Sequence, residues 1–233
     1  MSLEVIGVEG IGEVRPGTDL AGEIAEAARG LIADGDVVVV TQKVVSKAEN
    51  RVVDVDPDDP LSHKPLVLAE SRRVLRRRGD LVISETHQGF VCANAGVDLS
   101  NVERGRAALL PVDSDRSARR IRDGLRARAG VDVAVIVSDT FGRPWRRGLT
   151  DVAIGCAGIV PIVDLRGSTD SYGRELQVTE VCVVDELAGA ADLVMGKADG
   201  VPVALIRGVD PSWLGRGQVV PSVIRPPEED LFR

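Results

Sequence analysis

An Asp-Thr pair, Asp139 and Thr140, closes an apolar run. Gly142 follows, and then three arginines within five residues, Arg143, Arg146 and Arg147. A carboxylate at the C-terminal end of a buried strand is where open sheets place ligand groups. Carboxylate plus hydroxyl is an oxygen set that suits a hard divalent cation. The pair equally suits a helix N-cap or a turn, and the arginines alone suit a solvated loop. Together, a cation seat beside guanidinium groups favours a phosphorylated, anionic substrate. Asp139 and Arg143 are the first candidates for a direct part in the chemistry, Arg143 because it is the arginine nearest the pair in sequence.

Three further segments carry polar groups. In CANAGVDLSNVE, Asp98 and Asn101 sit three apart after a strand and a glycine turn. They suit a second metal ligand and a polar contact, or a turn closed by an Asx hydrogen bond. In TQKVVSKAENR, Lys43 and Lys47 stand where a buried strand emerges, as phosphate contacts or as ordinary surface lysines. The glycine-rich loops Gly10-Ile11-Gly12-Glu13 and Met195–Pro202 match neither GxxxxGK[ST] nor GxGxxG, so each also reads as a simple turn. The segment around Tyr172 reads as a tight turn before a helix. Trp145 and Trp213 read as packing anchors.

The elements that position these groups follow from periodicity. Leu3–Val8 reads as a strand. Asp19–Ala33 reads as a helix capped by Thr18, with Leu20, Ile24, Ala27 and Leu31 inward. DVVVVTQKVVS reads as one long buried strand. Asp54–His63 is a Pro/Asp loop, and Pro65 opens a helix made basic by Arg72, Arg73, Arg76, Arg77 and Arg78. LVISE and FVCANAGV form a strand pair. Ser117–Gly130 is a helix with Ala118, Ile121 and Leu125 inward and Gly130 as its stop. VDVAVIVSD is a buried strand that ends on Asp139. Val178–Met195 reads as a helix and VPVALIRG as a last strand. The elements mix without a strict βαβ repeat, which makes the fold α+β. One domain spans 1–233, with 226–233 as a loose tail.

Composition excludes several classes. The chain has 233 residues and formal net charge −7, which argues against a general nucleic-acid binder. No run approaches the ~20 apolar residues that span a bilayer. Cys92, Cys156 and Cys182 show no CxxC spacing, so the expectation is a reduced, cytoplasmic protein without thiolate zinc. Histidine occurs only at His63 and His87. Metal chemistry would therefore rest on oxygen ligands, favouring Mg²⁺, Mn²⁺ or Ca²⁺. The residues alone describe metal-assisted chemistry on a phosphorylated substrate. A metal-dependent phosphohydrolase and a non-catalytic nucleotide-binding or structural dimer stay open as readings of such a site.

In chain order, QKVVSKAENR, CANAGVDLSNVE, VSDTFGRPWRRGLTDVAIG, DSYGRELQVTEVCVVDELAGAADLVMGK and VPVALIRG resemble the coenzyme F420-0:L-glutamate (gamma-glutamyl) ligase family. The resemblance implies GTP as co-substrate, Mn²⁺ or Mg²⁺, and assistance from K⁺. It implies transfer of L-glutamate to the lactyl carboxylate of the deazaflavin precursor F420-0, with further gamma-linked additions. It also implies an unusual α+β ligase fold in an intertwined homodimer. Carried over by position, Asp98, Asp139 and Thr140 are metal ligands. Asn101 and Lys47 contact GTP, with Thr41 and Gln42 on the same strand end. The loop Gly10, Ile11, Gly12, Glu13 and the loop Met195, Gly196, Lys197, Ala198, Asp199, Gly200, Val201, Pro202 supply the other GTP contacts. One departure stands out. Family members often carry Glu or Gln, a second-metal ligand, where this chain has Lys197, and a protonated ammonium cannot ligate a cation. The terminal EEDLFR resembles the start of a connection to a flavin domain, as in the N-terminal half of a bifunctional F420 ligase; a stand-alone enzyme is the other expectation.

Overall fold

The run VVVVT has no polar face, and its four valines, Val37 to Val40, are fully buried. Both faces of that strand are covered, so it lies at the heart of the protein. The computed structural model describes residues 2–231. The chain runs through β1 (Glu4–Gly7), α1 (Leu20–Ala27), β2 (Val37–Thr41), α2 (Gln42–Ala48), β3 (Val52–Asp54), α3 (Lys64–Ala69), β4 (Ser71–Arg78), β5 (Leu81–Thr86), β6 (Val91–Ala93) and β7 (Arg106–Ala108). It continues through α4 (Ser114–Ala129), β8 (Ala134–Arg143), β9 (Arg146–Ala157), β10 (Ile162–Asp164), β11 (Glu180–Cys182), α5 (Val183–Met195), β12 (Val203–Arg207) and α6 (Val219–Val223).

The main sheet has the order β1-β12-β2-β8-β9. Only β2 and β8 run parallel; the other neighbours are antiparallel. α4 packs on β8 and β9, α1 packs on α4, and α5 crosses β1, β12 and β9. Three smaller sheets, β3-β7, β4-β5-β6 and β10-β11, complete a mixed α+β architecture. A second apolar cluster of Val67, Val82, Ala95, Val97, Ala107 and Leu109 lies at these small sheets and supports the loop that carries Asp98. Among the described residues, no helix is long and apolar enough to cross a membrane.

α4 shows how the sequence builds the frame. The Asp113 carboxylate accepts from Arg116 N at 2.8 Å, and Gly130 ends the helix at φ 71. Ala118, Ile121 and Leu125 are buried, as the periodicity requires. Its first turn lies so close to β9 that a Cβ on Gly155 would fall 2.3 Å from the Ser114 carbonyl carbon. Asp115, also buried, accepts from Cys156 N at 2.9 Å, Val219 N at 2.7 Å and Val220 N at 3.2 Å. One carboxylate thereby joins α4, β9 and α6.

Several sequence expectations are corrected. The long second strand ends at Thr41, and α2 begins at Gln42, whose side chain donates to Ser46 Oγ at 2.6 Å and Leu109 O at 3.0 Å. The basic helix after Pro65 stops at Ala69, and Ser71–Arg78 is a strand on β5. Two register shifts in β4 break its alternation, which hides the strand period. The helix expected from Val178 begins at Val183, because Glu180–Cys182 pairs with β10. α1 is capped by Asp19 rather than Thr18 and ends at Ala27, leaving Leu31 exposed. No helix follows the Tyr172 turn directly; Thr169 and Glu175 bridge across it. Trp145 is no packing anchor: it is 83% exposed at the β8–β9 turn, whereas Trp213 packs against the main core. In the tail, Pro227–Glu229 forms a 3-10 turn, and residues 232 and 233 lie outside the described residues.

Replacing Asp115 by Ala strands three backbone N–H groups beside the core. The expected loss is about 3 kcal/mol or more, a fall in Tm of roughly 6–12 °C for a chain of this size. Asp123→Ala on the exposed face of the same helix should shift Tm little. Thermal melts of both variants check this; equal melting would show that Asp115 is not a structural tie.

Candidate functional site

The β8–β9 hairpin carries the first group of side chains. Thr140 pairs with Asp151 across the ladder, just beyond a register shift between Val137 and Ser138. The Asp151 carboxylate is buried, at 3% exposure, and accepts from Ser138 Oγ at 2.9 Å and Thr140 Oγ1 at 2.6 Å. Alternation along a strand puts Ser138 and Thr140 on one face of β8 and Asp139 on the other. Asp139 is surrounded differently. Burial, with the charges of Asp151 and Asp98 added, pushes its pKa up to about 7. The Thr140 backbone N–H and the Lys43 ammonium work the other way without cancelling this.

Asp98 arrives from the small sheets. Its backbone is fixed by an isolated bridge to Ala108, N to O at 3.0 Å and the return bond at 2.8 Å. Its carboxylate accepts from Lys43 Nζ at 2.7 Å, Ser100 N at 2.7 Å and Ser100 Oγ at 3.0 Å. Burial opposes its charge, but these donors hold it below the ordinary carboxylate range. The same stretch holds Asn94, Ala95 and Asn101 at φ 50, 53 and 53, left-handed values uncommon for residues other than glycine.

The late loop brings an ammonium group. Lys197 Nζ donates to Thr140 Oγ1 at 2.7 Å and Asp151 Oδ1 at 2.8 Å, and also to Asp192 Oδ1 on α5. Burial opposes its charge, yet Asp151 and Asp192 raise its pKa above the ordinary lysine value. Its carbonyl accepts from Asn101 Nδ2 at 3.2 Å, which ties the loop to the Asp98 segment. Gly196 permits this path, with a φ of 59 that favours glycine.

The structure thus gathers Asp98, Asp139, Thr140, Asn101 and Lys197 around the outer part of β8. The other expected contacts lie on adjoining segments. Lys47 Nζ donates to Glu13 Oε1 at 2.6 Å, joining α2 to the loop of Gly10, Ile11 and Gly12. Thr41 N donates to Pro202 O at 2.9 Å, bringing the end of β2 to the late loop. Met195 is core, Val201 and Pro202 are half-buried, and Ala198, Asp199 and Gly200 are exposed. The Gln42 side chain is buried and turned toward Leu109, so its amide does not face this cleft. Arg143, the arginine nearest the pair in sequence, stands at the far end of β8. β8 does not stop at Asp139 but runs four residues further, which puts Arg143 about 13 Å along the strand at ~3.3 Å per residue. The positive charge beside the acids comes instead from Lys43 and Lys197. Asp151 and Asp192 were not singled out from sequence. The signal for Asp151 was the turn at Pro144-Trp145, which folds β9 back so that Asp151 lies opposite Thr140.

Among the described residues, no three His, Cys, Asp or Glu side chains form a ready metal cage. A cation at Asp98 and Asp139 would need other oxygens, as magnesium sites built from one or two carboxylates plus substrate phosphates do. Hard oxygen donors and the raised Asp139 suit such a cation, because an added positive charge would favour the ionised carboxylate.

Acids, ammonium groups and glycine loops thus meet at one sheet end, without a Walker loop. Residues 10–208 match the F420-0:Gamma-glutamyl ligase family. The chain is 43% identical to the coenzyme F420:L-glutamate ligase of Methanothermobacter thermautotrophicus, with 100% of both chains covered. It is 44% identical to that of Methanopyrus kandleri, over 95% of this chain and 94% of the relative. It is 42% identical to that of Methanocaldococcus jannaschii, over 87% and 86%. The chain belongs to the F420-0:Gamma-glutamyl ligase family.

The raised Asp139 pKa has a signed consequence. Between about pH 4, the unfolded value, and about 7, the folded state keeps a proton that the unfolded state loses. Stability therefore falls as pH rises through that window. In metal-free protein, Asp139→Asn should raise Tm above pH 7, by about 2–4 °C for each kcal/mol recovered, and change nothing below about pH 4. Melts across pH 3–9 test this; a pH-independent difference would mean that Asp139 is not held under charge stress.

Proposed function

We propose that this chain joins L-glutamate to the carboxylate of coenzyme F420-0, with GTP as the activating co-substrate and as a homodimer. The supporting observation is the juxtaposition of Asp98–Lys43, Asp139 and Thr140–Asp151–Lys197 around one stretch of β8, all inside the region shared with the family. A carboxylate is a poor electrophile, so an amine cannot displace its oxygen directly. In the proposed reaction, the F420-0 carboxylate takes the γ-phosphoryl group of GTP and GDP leaves. The glutamate α-amine then attacks the acyl phosphate, losing a proton as inorganic phosphate departs. Further rounds would extend the chain through gamma-carboxylates.

Each reactant is an anion, so the cleft must bring like charges together. Lys43 and Lys197 supply fixed positive charge, and Lys47, held by Glu13, stands at the adjoining loop. Asp98 and Asp139 would hold Mn²⁺ or Mg²⁺, with K⁺ in support, while Thr140, expected as a further ligand, lies on the other face of β8 with its hydroxyl bonded to Asp151 and Lys197. Bound there, the ion would offset phosphate charge. The loops at 10–13 and 195–202, with Asn101, would hold the nucleotide against the end of β2.

Incubation with F420-0, L-glutamate, GTP and Mn²⁺ should yield a product one glutamyl residue heavier by mass spectrometry. ATP should substitute poorly. Asp139→Asn should lower the rate by at least two orders of magnitude, the scale for loss of a charge-stabilising group. Rapid GDP release without F420-0 would instead favour a phosphohydrolase.

A further inference from the structure

The Lys197 ammonium is not an ordinary surface charge, although more than half of its side chain is exposed. Its Nζ lies against three oxygens from three elements: Thr140 on β8, Asp151 on β9 and Asp192 on α5. Two of these belong to carboxylates, and Asp151 is 3% exposed, so its charge has little water to face. The second Asp151 oxygen is taken by Ser138. Asp192 lies in the last turn of α5, where the helix dipole favours a cation. Fixed backbone presents the lysine, through the Asn101 bond to its carbonyl and through Gly196, whose φ of 59 lies in the left-handed range that favours glycine. Two carboxylates and a hydroxyl aimed at one point form the donor set of a hard-cation seat. Here an ammonium fills it.

We infer that Lys197 Nζ is a tethered cation occupying a seat built by Thr140 Oγ1, Asp151 Oδ1 and Asp192 Oδ1, and that it takes the place of a divalent ion there. The chain then needs only one divalent ion, at Asp98 and Asp139; this second clause rests on the proposed ligase reading. The permanent charge balances Asp151 without depending on the free metal concentration. It also offsets one of the two carboxylate charges on that face of β8 before any nucleotide arrives.

The test counts Mn²⁺ on the full chain by electron paramagnetic resonance and isothermal titration calorimetry, with circular dichroism to confirm folding. Lys197→Ala and Lys197→Gln should each bind one more equivalent of Mn²⁺ than the wild type. Adding Asp192→Asn to Lys197→Ala should remove that extra equivalent. Equal counts in wild type and variants overturn the inference, and so do two equivalents on the wild type. No Mn²⁺ on the wild type with one on the variants supports it while removing the Asp98–Asp139 metal from the proposed function. If neither variant folds, the wild-type count decides: two equivalents overturn it, and one or none supports it.

Discussion

Asp98, Asp139 and Asp151 stand close enough that the charges of the other two oppose ionisation of Asp139. Three carboxylates do not gather by chance, since each loses solvation while meeting its like. The structure tolerates them because each has a different arrangement of partners. Asp98 is paired with Lys43 and two Ser100 donors. Asp151 is enclosed by Ser138, Thr140 and Lys197. Asp139 has neither arrangement, and its raised pKa records the difference. Most of the surrounding fold can be read as the means of holding these three groups at fixed places.

The parallel pair β2–β8 sets where that happens. Their pairing ends at Thr41 and Ser138, where β2 stops and β8 continues alone with β9, and the carboxyl end of a parallel strand is where open sheets leave a crevice for ligands. Segments distant in sequence converge there. α2 starts at that edge and delivers Lys43 and Lys47. The late loop reaches it through the Thr41–Pro202 bond, and the early loop leaves β1 just after Val8 N bonds Val203 O at 2.8 Å. α4 and Asp115 hold β9 from behind, so the hairpin bearing Asp139, Thr140 and Asp151 is anchored at its base.

Much of this frame was legible because strong local signals agreed with tertiary packing. β2 is a valine run, α4 has its cap, stripe and glycine stop, and β5–β6 flank a glycine turn. Asp98, Asp139 and Thr140 stood out because their residue types and positions at strand or turn ends suit ligation. Asp151 and Asp192 did not, because their roles depend on hairpin register and on where α5 crosses β9. Trp145, at φ 56, forms part of the turn that sets that register, and left-handed backbone at a tryptophan has no signature in composition. β4 was hidden by its bulges and by five arginines that look helical when their pairing is unknown. The Thr41–Gln42 break was hidden because valine runs flank it on both sides, Val37 to Val40 and Val44 to Val45. Only the distant Leu109 carbonyl, which receives Gln42 and Ser46, favours a helix there.

The two faces of β8 differ in one further respect that bears on function. On the Thr140 side, the Asp151 oxygens are met by Ser138, Thr140 and Lys197, and Lys197 is shared with Asp192, so a cation already sits among the acids. On the Asp139 side, negative charge exceeds its local compensation. An incoming cation gains more on the second face than on the first, because there it also relieves repulsion already present. The hairpin arginines do not supply that relief. Arg143 stands four residues along the strand from Asp139 and is exposed, whereas the cation that acts on Asp139 is Lys43. At that range exposed guanidinium groups can influence the approach of an anion but contribute little to the local balance. The positive charge that matters to Asp139 must therefore come from Lys43 or be carried in with the ligands. A cleft arranged this way stays incomplete until cation and phosphate bind together.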